Sequence, residues 1–391
     1  MPATPVATVR LRLPPRRGLT AEKDVRMDLS MVEPVGQTLF VASDETATIE
    51  RLHSGDGGRS YGGHRPERLS AFFDLPVTPE EDAPPGQGDG HGEVDIEGAC
   101  YDDSTGYFWV TGSMSRARRK PKPDEHDGPA CLERLTTVRE DPNRFLLGRI
   151  PCAPVPCTPM DTDGVREAGH DLVRKAVIAG RKRRAACLKL SAKGGNALTK
   201  ALRRDVHLGR FLEVPAKENG FDVEGLAARG DRLWLGCRGP VLRGWATLLD
   251  LVVAEGGKGR LTLTPVGPDD QPYRKHFLDL DGLGIRDLKL CGDDLLILAG
   301  PTMDLDGPVS LWRWPGAVRA TEEQVLPRSR LHRIMELPYG RGEDHAEGIA
   351  LLPGADGRVR LLVAYDSPAP ARLHGAEGVD LDLFDLDLSD G

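Results

Sequence analysis

The stretch Asp222-Val-Glu-Gly-Leu-Ala-Ala-Arg-Gly-Asp-Arg-Leu-Trp-Leu-Gly236 sets the fold. It reads as an acidic turn, a short link and a strand of leucine and aromatic residues closed by glycine. Four other segments follow the same plan. Asp95-Ile-Glu97-Gly98 leads to Tyr107-Phe-Trp-Val-Thr-Gly112, and Asp344-His345-Ala-Glu347-Gly348 leads to Arg360-Leu-Leu-Val-Ala-Tyr-Asp366. Gly284-Ile-Arg286-Asp287-Leu leads to Leu295-Leu-Ile-Leu-Ala-Gly300, and Met27-Asp-Leu-Ser-Met-Val-Glu33 leads to Thr38-Leu-Phe-Val-Ala-Ser-Asp44.

The acidic anchors are spaced 64 residues from Glu33 to Glu97, 63 from Glu224 to Asp287 and 60 from Asp287 to Glu347. The 127 residues from Glu97 to Glu224 are about two such periods. Further strand-like runs follow each first strand, such as Gly244–Val253, Arg260–Val266 and Lys275–Leu280. Four strands split by turns make one antiparallel blade, so the expected fold is all-β, a β-propeller. Five blades are expected, with six as the alternative. The last unit lacks a fourth strand, and Ala7-Thr-Val-Arg-Leu-Arg-Leu13 is expected to supply it and close the ring. One propeller domain over 1–391 is expected, with a loop and helical insertion at 115–205 in the second blade. Helices are expected at Glu167–Ile178 and Asn196–Arg204, and strands at Asn143–Pro151, Arg184–Leu190 and Gly209–Val214.

Composition agrees with this. Of 391 residues, 46 are glycine and 31 proline, which implies many turns and few long helices. The net charge of −8 disfavours a general nucleic-acid coat. No apolar run is long enough for a spanning helix, and no secretory signal opens the chain, so a cytoplasmic protein without membrane partners is expected. The seven cysteines, Cys100, Cys131, Cys152, Cys157, Cys187, Cys237 and Cys291, fit no disulfide framework. They read as small hydrophobes in a reducing compartment.

The stretches Asp95–Gly98 with Thr111-Gly-Ser113, Glu218–Leu226, Cys237-Arg-Gly-Pro-Val-Leu-Arg-Gly-Trp-Ala246, His276–Leu280 with Gly282–Leu288, and Leu298-Ala-Gly-Pro-Thr302 together resemble the bacterial domain-of-unknown-function family 3616. The resemblance spans nearly the whole chain and is weakest over 115–205. It implies a propeller-like fold and brings no catalytic residues with it. The Asp-x-Glu-Gly turns also resemble those of phytase-like and esterase-like propellers.

In a propeller, the turn entering the innermost strand faces the central channel. Asp95, Glu97, Asp222, Glu224 and Glu347 are therefore the candidate metal ligands, for Ca²⁺, with Glu33 a weaker member of the ring. Carboxylates gathered this way can equally raise one another's pKa. The structural alternative is that they accept backbone N–H groups of the neighbouring blade, and that alternative is expected for Glu224. Arg286, Arg238, Asp287 and His345 are the candidate ligand-binding residues, the arginines as forks for phosphate or carboxylate. Arg286 stands where the other segments carry Glu, so one cation is expected among the carboxylates, and its structural alternative is an ion pair with Glu224 or Glu347 across the channel. Arg238 follows a strand assigned as the first of its blade, so it is expected at the opposite mouth with Asp44, Ser113, Thr302 and Asp366.

Asp161-Thr-Asp-Gly164, Asp279-Leu-Asp-Gly282 and Asp304-Leu-Asp-Gly307 lack the later ligands of a calcium loop and read as turns. Phosphate-loop, zinc-protease, nucleophile-elbow and dinucleotide motifs are absent from the sequence. Two basic clusters, Arg116–Lys122 and Arg181–Arg184, offer contacts to a nucleic acid or a protein partner. The expected function is a binding or scaffold propeller with an acidic mouth for a cation or small ligand. The alternatives are a metal-dependent hydrolase of a phosphoester or other ester, and an adaptor working through the basic insertion.

Overall fold

A computed structural model describes residues 2–15, 24–82, 92–155, 169–354 and 357–388. Cys157 and the Asp161–Gly164 motif lie outside the described residues. The first strand, β1 (Ala7–Arg12), precedes an antiparallel meander of β2 (Leu29–Val35), β3 (Thr38–Ser43), β4 (Thr48–His53) and β5 (Ser60–Arg68). A second meander begins with β6 (Ile96–Asp102) and β7 (Tyr107–Gly112). It is interrupted by β8 (Ala117–Arg118), the helix α1 (Gly128–Thr136) and β9 (Val138–Arg139). It resumes with β10 (Leu147–Pro154), flanked by β11 (His170–Leu172), a hairpin of β12 (Lys175–Ile178) and β13 (Arg181–Arg184), and β14 (Ala186–Leu188). The helix α2 (Ala197–Leu202) follows.

The third meander contains β15 (Asp222–Arg229), β16 (Arg232–Gly239), β17 (Trp245–Gly257), β18 (Arg260–Thr264) and β19 (Arg274–Asp279). The fourth contains β20 (Gly284–Cys291), β21 (Asp294–Gly300), β22 (Val309–Trp314), the short β23 (Gln324–Leu326) and β24 (His332–Leu337). The fifth contains β25 (His345–Pro353), β26 (Val359–Asp366), β27 (Leu373–His374) and β28 (Gly378–Asp385). β1 pairs antiparallel with β28 from Ala7↔Leu383 to Arg12↔Gly378, so the N-terminal strand completes the last meander as expected.

The first strands of the meanders touch in the cyclic order β2, β6, β15, β20, β25 and back to β2. Each adjacent pair of meanders shares a buried apolar layer. Phe40 and Ile49 pack with Ile96 and Phe108, and Trp109 and Leu147 with Val223 and Leu235. Trp234 and Leu248 pack with Leu288 and Trp312, and Leu298 and Leu311 with Ile349 and Val363. Val32 and Val41 close the circle against Ala350 and Leu362. Removing apolar area from water is the main drive for folding, and here it also joins the first and last meanders.

Outer edges are protected by parallel pairing between neighbours: β1 with β5, β14 with β18 and β23 with β19. The result is an all-β, propeller-like arrangement. Among the described residues, no helix is long and apolar enough to cross a membrane.

Several local expectations need correction. Residues 170–178 form β11 and β12 rather than a helix, because Lys175-Ala-Val-Ile178 alternates exposed and half-buried positions at the period of a strand. Gly209–Glu213 is a short 3₁₀ turn, not a strand. The helix at Asn196–Arg204 is found as α2, capped by Asn196, whose side chain accepts from the amides of Leu198 and Thr199. Cys100, Cys152 and Cys237 are free and buried, as small hydrophobes, while Cys131, Cys187 and Cys291 are free and half-buried.

Candidate functional site

The acidic segments are not turns. Each opens the innermost strand of its meander, and each carries a β-bulge at the same place. The register slips between Leu29 and Met31, Ile96 and Gly98, Val223 and Gly225, Ile285 and Asp287, and Ala346 and Gly348. The bulged residues are Ser30, Glu97, Glu224, Arg286 and Glu347. A bulge breaks the pairing and re-aims one side chain, here toward the channel mouth. In three strands the next residue is glycine because the neighbouring strand leaves no room. A Cβ on Gly98 would sit 2.9 Å from the Glu224 carbonyl oxygen, and one on Gly348 would sit 2.9 Å from Met31 Cα.

This register corrects three expectations. Ser30, not Glu33, holds the first ring position, and its hydroxyl donates to the Ile96 carbonyl at 2.5 Å. Asp287 does not face the mouth, because the bulge places Arg286 there. Arg238 does not lie at the opposite mouth. It ends β16, the second strand of an antiparallel hairpin, which returns to where β15 began.

Arg238 accordingly pairs with Asp222 at 2.5 Å and with Glu224 Oε1 at 2.9 Å. Arg286 Nε lies 2.9 Å from Glu224 Oε2, and its Nη2 bonds Glu347. Burial pushes Glu224 up to about 7 against the pull of both guanidiniums. The same carboxylates raise Arg238, so its charge is held. Glu224 thus sits between two cations, and among the described residues no bond to a backbone amide ties it to the next strand, contrary to expectation.

The backbone-stitching role falls one layer deeper, to Glu33 and Asp287. Glu33 accepts the Tyr101 amide at 3.0 Å, and Asp287 accepts the Ile349 amide at 2.9 Å. Lys289 Nζ lies 3.0 Å from Glu33, 3.5 Å from Asp287 and 2.8 Å from the Ala99 carbonyl oxygen. This buried cluster joins four of the first strands across the channel.

Across the mouth from the arginines, carboxylate oxygens of Asp44, Asp95 and Glu97 lie within 4.8 Å of one another. Asp95 adopts a left-handed backbone (φ 55°), which aspartate tolerates better than most residues, and pairs with Arg144 at 2.9 Å. Glu97 is only 8% exposed, and among the described residues it makes neither a hydrogen bond nor an ion pair. Burial first, then Asp95 and Glu224, push it well above the usual carboxylate range. Asp44 is raised well above that range by burial and by Asp95, and its Oδ1 is buried without a hydrogen-bond partner. Asp44 is a member that sequence reasoning assigned elsewhere. Its signal was its place at the end of Thr38–Ser43, the same hairpin position as Arg238.

His345, Arg238, Arg286, Glu347 and Asp366 line a cavity of about 200 Å³ at this mouth. His345 Nε2 lies 3.1 Å from Asp306. Its imidazole is raised by Asp366 first, then by Asp306 against burial. The mouth therefore gathers Asp95, Glu97, Asp222, Glu224, Glu347, Arg238, Arg286 and His345, and leaves Asp287 and Glu33 below. Of the candidate metal ligands, Asp222, Glu224 and Glu347 are engaged by Arg238 and Arg286, Asp95 is engaged by Arg144, and Asp95 and Glu97 stand with Asp44.

The basic clusters differ from each other. Arg116 pairs with Glu140 at 2.6 Å and with Glu213, Arg118 with Glu218, and Lys122 with Glu125 at 3.0 Å. Arg181–Arg184 forms β13 of an exposed hairpin.

Fold and mouth together define an all-β, propeller-like protein with opposed carboxylate and guanidinium groups at one channel end. The chain belongs to the family described as "Protein of unknown function (DUF3616)", which matches residues 28–382. No curated protein matches it. Among solved structures it is similar to the glutaminyl cyclase of Myxococcus xanthus, at 11% identity and a TM-score of 0.35, over 97% of this chain and all of that one. It is similar to a GH43 β-1,3-galactosidase solved with galactodeoxynojirimycin, at 9% identity and a TM-score of 0.38, over 97% and 96% of the two chains. It is also similar to the β-propeller domain of Myceliophteria thermophila Cps50 (Swd1), at 9% identity and a TM-score of 0.31, over 92% and 97%.

Proposed function

We propose that this chain is a single five-bladed propeller, with the 115–205 insertion in its second blade, that binds a divalent cation and a small ligand at one channel mouth. The five meanders and their cyclic contacts support the blade count. The observation that carries the functional reading is the Asp44–Asp95–Glu97 cluster, with Glu97 buried and unpaired. Three converging carboxylates with one cation among them suit a hard ion such as Ca²⁺, which takes oxygen ligands at about 2.3–2.6 Å. A buried carboxylate without partner or proton is costly, and a bound ion removes that cost. Arg238, whose Nε is buried without a hydrogen-bond partner, faces the adjoining cavity with His345 and can donate to an acceptor group of the ligand.

The test is calorimetric titration of the metal-free protein with CaCl₂, beside Glu97→Gln. Saturable binding by the parent and its loss in the variant are expected. No binding by the parent, or equal binding by both, rejects the cation site.

A second reading, hydrolysis of a phosphoester or other ester, is favoured by His345. This imidazole lines the cavity, is hydrogen-bonded to Asp306, and is raised by Asp366, which favours the protonated form that a general acid needs. Calcium-dependent turnover of generic phosphoester or ester substrates, abolished by His345→Gln, would favour it over pure binding.

A further inference from the structure

A second charged feature lies on the rim, away from the channel. A cavity of about 390 Å³ opens between the second and third meanders, floored by Phe72 and Phe73. Its walls carry Arg174, Arg184, Lys189, Lys258 and Arg260, against the single acid Asp74. Asp74 is fully exposed, and its nearest approach is 3.7 Å to Arg174. Among the described residues, Arg184, Lys189, Lys258 and Arg260 form no ion pair.

In a chain of net charge −8, many other cations pair with carboxylates, among them Arg116, Arg118 and Lys122 of the other basic cluster. Four unpaired cations facing one concavity repel one another, and the fold holds them there by construction. β14 and β18 pair in parallel, with Cys187 opposite Arg260. Gly259, at φ +75° in the turn before β18, lets the Ala185 carbonyl oxygen and the Arg184 side chain approach that turn. The cations come from three separate stretches: the end of β13, the residue after β14, and the β17–β18 turn with the first residue of β18. They can therefore surround a ligand rather than touch it from one side.

We propose that this cavity binds a small polyanion carrying two or more phosphoryl groups. Guanidinium and ammonium donors converging from several directions match phosphoryl oxygens, and each contact is charge-assisted. A single-stranded nucleic acid is the weaker fit. Such sites add aromatic faces for bases, and Phe72 and Phe73 are buried at 6% and 3% exposure.

The test uses pyrophosphate and tripolyphosphate as probes, with sulfate for comparison, titrated calorimetrically into the whole protein at about 50 and about 200 mM salt. Tripolyphosphate is expected to bind tighter than pyrophosphate, and pyrophosphate tighter than sulfate, with affinity falling as salt rises. The doubles Arg184→Gln/Arg260→Gln and Lys189→Gln/Lys258→Gln change exposed side chains. Each is expected to melt like the parent and to weaken tripolyphosphate binding about tenfold or more. Arg116→Gln should leave it unchanged. Absence of tripolyphosphate binding at the lower salt, or unchanged affinity in both doubles, overturns the proposal. So does an oligonucleotide that binds tighter than tripolyphosphate and loses affinity in the same doubles.

Discussion

Arg286 Nε lies 2.9 Å from Glu224 Oε2, bridging two adjacent innermost strands at their bulges. Arg286 occupies the position that Glu97, Glu224 and Glu347 hold in their own strands. One arginine in the ring thus neutralises carboxylates on both sides of it, while Glu97, farther round, forms no ion pair among the described residues.

That asymmetry predicts opposite outcomes for one substitution. Glu224→Gln removes the charge between two buried guanidiniums and should destabilise the fold by about 3 kcal/mol or more. Glu97→Gln removes a buried charge that has no ion pair among the described residues and that carboxylates dominate, so it should raise the metal-free melting temperature. Melting curves in chelator check both, and a lower melting temperature for Glu97→Gln would contradict the assignment.

The metal-free fold should lose stability as pH rises through weakly acidic to neutral values. Glu97 and Asp44 are held well above their ordinary 4.5 and 3.8, and Asp28 is pushed up to about 7 by burial and by Asp366. Above those ordinary values the unfolded chain has released these protons while the folded chain still binds them. Unfolding therefore becomes easier with rising pH until the folded groups ionise too. Melting temperature in chelator from about pH 5 to about pH 8 should fall. Added Ca²⁺ should reduce the slope, and a flat or rising profile without metal would count against the cluster.

Lys289→Met should cost on the order of 3–5 kcal/mol, because Glu33 and Asp287 would stay buried without their cation. Adding Glu33→Gln should restore part of that loss. A double-mutant cycle by chemical denaturation measures the coupling, and simple additivity would mean that Lys289 and Glu33 do not act as one unit.

Gly98→Ala should destabilise by about 1–3 kcal/mol, since its Cβ meets the backbone of the third meander. Gly128→Ala, where a Cβ meets nothing within 4 Å, serves as the comparison and should be near neutral. Equal effects of the two would show that the close approach at Gly98 is not limiting.

The all-β class, the recurring acidic segments and the closing role of Ala7–Leu13 were legible in the sequence. Hydrophobic alternation and turn residues are local signals, and a missing strand at one end of the chain matches a spare one at the other. The acids Asp95, Glu97, Asp222, Glu224 and Glu347 and the cations Arg238, Arg286 and His345 were likewise legible as a group, from their shared place in each unit.

Which of them meet depends on contacts made far apart in the chain. A bulge shifts register by one residue, and one residue changes the face of a strand. That shift turns Arg286 to the mouth, where its place in the repeat had put it, and Asp287 away from it, and it puts Ser30 rather than Glu33 at the first ring position. Whether a carboxylate is neutralised depends on cations brought from other meanders, as Arg238 and Arg286 are brought to Glu224 but not to Glu97. Asp44 joined the cluster because an antiparallel hairpin returns its second strand to the mouth where the first began. The basic rim cavity was hidden for the same reason, since Arg184 and Arg260 lie far apart in the chain and meet only through the pairing of β14 with β18.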